Sequence, residues 1–316
     1  MSHTDELSGA GPTGIGAYLE LVRLPNLFTA AADVVMGFLA THSELGPGDG
    51  TRLGLLIGSS CALYAAGVTL NDAFDRQLDA VERPERPIPS GRVPLAAAWA
   101  LGYGLLGLGV AAAVGASALG GSARPAVLAA ALALLILLYD ALLKPTLAGP
   151  FVLGACRAGN VLLGMSLFES AWLGSHWLAA GAIGVYVVGM SWLARTEARP
   201  AGRTPLVAGT VIVLAGIAVL ARLPEQVFRD LLVRQVSEEG WYLLMAILGL
   251  HTLVRCLPAA IQPDPERIQL AVRYLILTLV VLDMAACLAF RGVAGALAVL
   301  AVFLPAVFLS RWISTT

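Results

Sequence analysis

The chain has 316 residues, 58% of them hydrophobic and only 13% charged, with a formal net charge of −1. A soluble domain is typically about 25% charged, so the composition excludes an ordinary soluble fold, and the near-neutral charge argues against a nucleic-acid partner. Cys61, Cys156, Cys256 and Cys287 stand apart in or beside apolar runs and show no metal-binding spacing.

In chain order, residues 1–13 are polar and lack the basic start and short apolar stretch of a cleaved signal peptide. They read as a loose cytoplasmic tail, and residues 14–316 as one membrane domain. Apolar stretches long enough to cross a bilayer follow near residues 18–40, 53–70, 96–119, 126–143, 151–167, 177–194, 206–223, 241–257, 270–290 and 293–309. Only Arg291 and Gly292 separate the last two, which form either two helices with a tight turn or one broken helix. The expected fold is therefore all-α, a polytopic transmembrane bundle of nine or ten helices.

Basic residues in short loops set the orientation of such a bundle. Arg76, Arg83, Arg86 and Arg92 follow span two, Lys144 follows span four, Arg195, Arg199 and Arg203 follow span six, and Arg255 and Arg267 end span eight. All lie on one side if every run spans. That side is expected to be cytoplasmic in a cell membrane, with the N-terminus inside. Arg222, Arg229 and Arg234 break the rule, but Glu225, Asp230, Glu238 and Glu239 accompany them. The interleaved Val227, Phe228, Leu231, Leu232 and Val236 predict a short amphipathic helix on the opposite surface.

The chemistry concentrates where span two ends, at Thr69-Leu70-Asn71-Asp72-Ala73-Phe74-Asp75-Arg76-Gln77-Leu78-Asp79. On one continuous helix at about 100° per residue, Asn71, Asp75, Asp79 and Asp72 fall at roughly 0°, 40°, 80° and 100°. Carboxylates crowded on one face at a membrane boundary repel each other and are costly to desolvate. A divalent cation resolves both problems, and oxygen ligands of this type suit Mg²⁺ bridging to substrate phosphates. A metal there favours departure of diphosphate from an allylic carbon. The Pro-stiffened stretch Glu82-Arg83-Pro84-Glu85-Arg86-Pro87-Ile88-Pro89-Ser90-Gly91-Arg92 follows, and its arginines can grip phosphate oxygens. The plainer reading is a solvated helix end whose acids pair with those arginines.

The Asn-Asp-x-x-Asp-x-x-x-Asp string and the Arg-Pro-x-Arg-Pro-Ile-Pro-Ser-Gly loop together resemble the UbiA superfamily of intramembrane prenyltransferases. Arg23-Leu24-Pro25-Asn26-Leu27-Phe28-Thr29 resembles that family's first helix, and Leu138-Tyr139-Asp140-Ala141-Leu142-Leu143-Lys144 the end of its fourth span. The resemblance covers about residue 21 to the end of span six. It implies about nine helices around a central cavity, Mg²⁺, a prenyl diphosphate donor, an acceptor within the bilayer, and Asp72, Asp75 and Asp79 as the catalytic acids. Asn71 and these three acids would hold the metal. A second acidic motif is expected after span six, where this chain has Met190 in place of a carboxylate and keeps only Glu197 as a candidate ligand. Arg195 could there replace a cation as charge neutraliser. In this departure the chain resembles the divergent UbiA-like branch of Ebo-type gene clusters.

Ionisable groups inside spans are functional candidates by default. Arg157 and Asn160 share a face of span five and could bind diphosphate or a polar acceptor, or form an internal hydrogen bond that fixes packing. Lys144 could snorkel to the interface; the resemblance favours a phosphate contact, with Asp140 as its partner. Asn26, one turn into span one, could touch the metal's ligands. Asp33 and Asp283 lie deeper, and His251 stands one turn before Arg255. The leading expectation is Mg²⁺-dependent prenyl transfer to a small-molecule acceptor. Terpene cyclisation on the same scaffold and non-catalytic carriage of an isoprenoid diphosphate are the alternatives.

Overall fold

The computed structural model describes residues 14–195 and 202–309. The N-terminal tail and Glu197 fall outside these residues. The described chain is helical: α1 (Ile15–Leu21), α2 (Leu24–Thr41), α3 (Asp49–Phe74), α4 (Arg76–Glu82), α5 (Leu95–Gly120), α6 (Arg124–Leu138), α7 (Gly149–Gly164), α8 (Gly174–Ala194), α9 (Arg203–Leu220), α10 (Leu223–Leu231), α11 (Glu238–Ile261) and α12 (Pro265–Leu309). A π turn, Tyr139–Leu143, closes α6.

Eight of the helical segments are long and apolar enough to cross a membrane. At 1.5 Å per residue, α3 alone reaches about 39 Å, beyond the roughly 30 Å of a hydrocarbon core. In the bilayer every backbone N–H and C=O must be paired within its own segment, which leaves helices as the only solution for runs of this kind. Large apolar side chains such as Leu108, Leu134, Leu243 and Leu250 stay exposed on the outer faces, where lipid replaces water.

Helix contacts close a ring. In the order α2, α3, α5, α6, α7, α8, α9, α11, α12, each helix packs on the next, and α12 returns to α2. The nine-membered bundle expected from the apolar runs is thus present, with α1, α4 and α10 as short appendages. Contacts of α2 and α3 with α7 cross the ring. The α2–α7 crossing depends on glycine. A Cβ on Gly37 would sit 2.3 Å from the Val161 carbonyl oxygen, and one on Gly164 2.3 Å from that of Val34. Small residues let backbones approach this closely where lipid offers no hydrophobic drive for association.

Two boundaries differ from the sequence reading, and a third is one that the sequence leaves open. Span one is two helices, because Arg23 adopts a left-handed conformation (φ 50°, ψ 53°) just before Pro25 starts α2. The acidic stretch is likewise two helices rather than one, since α3 stops at Phe74 and α4 starts at Arg76, with Asp75 between. The last two apolar runs are one broken helix: Gly292 (φ 66°, ψ −161°) kinks α12. Its mirror-image backbone would strain any side chain. The amphipathic helix expected between spans seven and eight is α10. Asp230 accepts from the Ser175 N–H at 2.6 Å, Glu225 from Tyr242 Oη at 2.8 Å, and Glu238 pairs with Arg234. The acids there therefore do more than dilute the positive charge; they tie α10 to α8 and α11.

Candidate active site

The stretch that ends α3 meets three other elements at one end of the bundle. Asp72, on the last turn of α3, is 5% exposed. Arg86 Nη1 donates to Asp72 Oδ1 at 3.2 Å and to Asp79 Oδ2 at 2.8 Å, so one guanidinium holds both acids. Arg86 reaches them because the loop after α4 folds back: Ser90 N–H donates to the Arg86 carbonyl at 3.0 Å and Val93 N–H to that of Pro87 at 2.9 Å. Gly91 takes φ 75° within this turn. Burial works against the charge of Arg86, but Asp72 and Asp79 outweigh it and hold the guanidinium above its ordinary pKa.

A second group lies beside the first. Asn71 Nδ2 donates to Asp140 Oδ1 at 2.9 Å, and Lys144 Nζ to Asn71 Oδ1 at 3.1 Å. Lys144 also pairs with Asp75. Asp140 and Lys144 come from the π turn and its C-terminal cap. Such turns widen a helix by one residue and recur at functional sites; here the turn faces α3. Arg23 completes the first group, its Nη2 lying 3.3 Å from Asp72 Oδ1.

The acids predicted to share one metal therefore divide between two sets of cations. Among the described residues no three His, Cys, Asp or Glu side chains converge as a ligand set. The helical i to i−4 bonds continue through Asp75, whose N–H donates to the Asn71 carbonyl at 2.9 Å while its own carbonyl accepts from Asp79 N–H at 2.9 Å, but Arg86 stands against both Asp72 and Asp79, and Lys144 takes Asp75. The donor chemistry still suits Mg²⁺, which commonly uses one or two carboxylates and leaves other positions to phosphate and water. Asp140 Oδ2 is buried with no hydrogen-bond partner, an acceptor oxygen left over beside Asn71. Four carboxylates, Asp72, Asp75, Asp79 and Asp140, face three cations, Arg23, Arg86 and Lys144. The set has capacity for further positive charge.

Other candidates lie elsewhere. Arg195 donates to the carbonyls of Thr146 at 2.6 Å and Pro145 at 3.0 Å, so it braces the chain after the π turn rather than reaching the acids. Arg83 caps the end of α4. Asn26 sits one turn beyond Arg23, its backbone N–H donating to the Arg23 carbonyl at 2.8 Å. Arg157 and Asn160 belong to a deeper cluster with Asp33 and Thr29, not to the acid site. His251 is exposed, 3.3 Å from Arg255 Nε.

Two features escaped the sequence reading. Arg23 was not singled out, although Arg-Leu-Pro carries a signal: a long cation just ahead of a helix-starting proline. The pair Glu20–Arg92 was missed outright. Arg92 Nη1 and Nη2 donate to Glu20 at 2.6 and 3.1 Å, and Nη2 also to the Glu85 carbonyl at 2.6 Å. This clamps α1 onto the loop, and the bond to Glu20 holds Arg92 above its ordinary pKa.

Comparison with known proteins places this architecture. Residues 30–221, well over half of the chain, match the UbiA prenyltransferase family. Digeranylgeranylglyceryl phosphate synthase of Metallosphaera sedula is 39% identical over 93 residues, 29% of this chain and 32% of that protein. The enzyme of the same name from Methanoregula boonei is 34% identical over 137 residues, 42% of this chain and 44% of that protein. The matches thus span between about a third and under a half of these relatives. Among solved structures, a UbiA homolog from Archaeoglobus fulgidus bound to GPP and Mg²⁺ superposes with a TM-score of 0.61 at 14% identity, covering 90% of this chain and 99% of the other. A structure described as that of digeranylgeranylglyceryl phosphate synthase in membranes gives 0.61 at 22% identity with the same coverage. At these identities the likeness is one of fold, and the sequence match fixes the lineage: the chain belongs to the UbiA prenyltransferase family.

Proposed function

We propose that this protein transfers a prenyl group from a prenyl diphosphate to an acceptor within the membrane, with Mg²⁺ as the metal. The observation that carries the reading is the convergence of Asn71, Asp72, Asp75 and Asp79 with Arg23, Arg86 and Lys144 at one end of an otherwise apolar bundle. The relatives named digeranylgeranylglyceryl phosphate synthase and the homolog solved with GPP and Mg²⁺ support it.

Asp72, Asp79 and the acceptor oxygens of Asn71 and Asp140 are the groups that would hold the metal. When bound, Mg²⁺ draws negative charge off the departing diphosphate. Arg23, Arg86 and Lys144 sit on carboxylates; with substrate present they would turn to phosphate oxygens, which would leave Asp72 and Asp79 free to hold the metal. Arg86 suits this exchange, since its planar fork can serve two oxygens at once.

The tail has a place to lie. An apolar groove of about 480 Å³ runs between α1, α2, α3 and α5, lined by Tyr18, Val22, Leu27, Cys61, Ala65 and Leu101 among others. Ala65 precedes Asp72 by two turns of α3, about 10 Å along the axis, and Val22 adjoins Arg23. An isoprenoid chain in this groove keeps its head at the acids and its carbons out of water. The basic residues at this end support a cytoplasmic orientation for it.

A non-hydrolysable prenyl diphosphate analogue titrated into the purified protein tests the reading. Binding should need Mg²⁺ and weaken on Arg86→Ala. Binding indifferent to both would overturn it.

A further inference from the structure

Asp33 and Asp283 lie outside the acid site and play no part in the function proposed above. Both are 0% exposed. Asp33 stands halfway along α2, nine residues from Leu24 and eight from Thr41, so it lies roughly 12–14 Å from either end of that helix. Asp283 belongs to the first part of α12, ahead of the kink at Gly292. The packing of α12 on α2 sets the two carboxyl groups against each other.

Their partners are unevenly shared. Asp33 Oδ2 pairs with Arg157 Nε at 2.6 Å and accepts from Asn160 Nδ2 at 2.8 Å. Arg157 spends its other nitrogens on Thr29, donating to the carbonyl at 2.8 Å and to Oγ1 at 3.3 Å. Among the described residues, Asp33 Oδ1 and both oxygens of Asp283 meet no hydrogen-bond donor. Two ionised carboxylates this deep in an apolar bundle would repel each other, and Arg157 pairs with Asp33 alone. Orphaned acceptors of that kind are costly in a membrane interior.

We propose that Asp33 and Asp283 form a proton-binding site in the middle of the bundle, with one proton on Asp283 donated to the ionised Asp33. This makes Asp283 a donor, satisfies Asp33 Oδ1, and leaves a cluster whose single negative charge Arg157 matches. The location of the proton follows from Asn160. Its Oδ1 accepts from Ser60 Oγ at 2.6 Å, and its Nδ2 donates to the Ala30 carbonyl at 2.9 Å. The amide is thereby oriented to donate to Asp33, which also pairs with Arg157 while Asp283 receives neither, so ionised Asp33 is the acceptor and Asp283 the acid. A divalent metal would carry excess charge, and among the described residues no third acid, His or Cys joins the pair. Among the described residues, the charged and titratable groups that act on the pair or feel it are Arg157 from α7 and, along α12 itself, Cys287. The bound proton ties α2, α7 and α12 together at depth, and Arg23, which caps the start of α2, reaches Asp72 at the acid site.

Infrared spectra and thermal melting of the purified full chain in lipid nanodiscs test the site, using wild type, Asp283→Asn and Asp33→Asn. Wild type should show the C=O stretch of a protonated carboxyl at neutral pH, shifted in heavy water. That band should be lost in Asp283→Asn, whose melting temperature should match wild type because the amide still donates to Asp33. Asp33→Asn should melt well below both, since Arg157 loses its counter-charge. The proposal is overturned if the band is absent from wild type or survives in Asp283→Asn. It is also overturned if sodium raises the wild-type melting temperature and not that of Asp283→Asn, which would make the site one for a metal cation. Should Asp33→Asn fail to fold, the spectra of the other two still decide.

Discussion

Arg23 Nη2 and Asp72 Oδ1 lie 3.3 Å apart and join the start of α2 to the end of α3. The contact exists because Arg23 holds a left-handed backbone, an uncommon state for a residue with a side chain. Strain of this kind persists where surrounding structure over-determines it, and it gathers at functional sites.

Replacing Arg23 by Ala should therefore weaken donor use more than folding. A charge-assisted hydrogen bond is worth about 1.5–3 kcal/mol, which corresponds to a fall of roughly 10- to 100-fold in kcat/KM for the diphosphate substrate. The melting temperature should barely move, and Arg23→Gly, which relaxes the backbone, should melt at or above wild type. Steady-state kinetics beside thermal melts check both halves.

Arg86 is a different case, because it is 7% exposed and holds two buried acids. Removing one partner of a buried ion pair costs about 3–5 kcal/mol. Arg86→Ala should destabilise by that order and lower turnover, and Arg86→Lys should recover part of the stability with little of the turnover. Denaturation in detergent, run alongside assays, separates the two.

At the α2–α7 crossing, Gly37→Val should cost about 1–3 kcal/mol, the usual range for overpacking, since even a Cβ there would lie 2.3 Å from the Val161 oxygen. Gly58→Ala is the control. Nothing lies within 4 Å of its added carbon, and in a helix interior Ala is favoured over Gly by roughly 1 kcal/mol. The first variant should melt lower than wild type, the second no lower.

Removal of divalent metal should abolish diphosphate release. Readdition of Mg²⁺ should restore it, whereas Ca²⁺, which prefers more and longer oxygen contacts, should restore little. Release by metal-free protein at the wild-type rate would exclude a metal role for Asp72 and Asp79.

Much of the bundle was legible because a bilayer leaves so few solutions: an apolar run of span length becomes a helix. The acid stretch and the arginine loop were legible as neighbours in sequence. The breaks were harder. The apolar run resumes on both sides of Arg23, and although Pro25 hints at a helix start, nothing in the apolar pattern marks a left-handed residue there. Asp75 looked like one more member of a shared helix face, yet Asp79 pairs with Arg86 and Asp75 with Lys144, partners that the spacing along the helix does not reveal. The partnership of Asp33 with Asp283 was out of reach, because it needs α12 to close the ring against α2. Arg157 and Asn160 were visible as polar residues in a span, but their partners on α2 follow only from the α2–α7 crossing.

The central claim is that the acids at the end of α3 serve prenyl transfer. Its most direct test is Mg²⁺-dependent diphosphate release by the purified protein, offered geranyl, farnesyl and geranylgeranyl diphosphates with a membrane lipid extract as acceptor pool, beside the Asp72→Asn/Asp75→Asn variant. The account predicts release and a prenylated product from wild type with at least one donor. In the variant it predicts a loss of at least 100-fold, the order expected when a main charge-stabilising group is removed, with the fold retained. Wild type that releases no diphosphate from any donor, or a variant that turns over as fast as wild type, would contradict it.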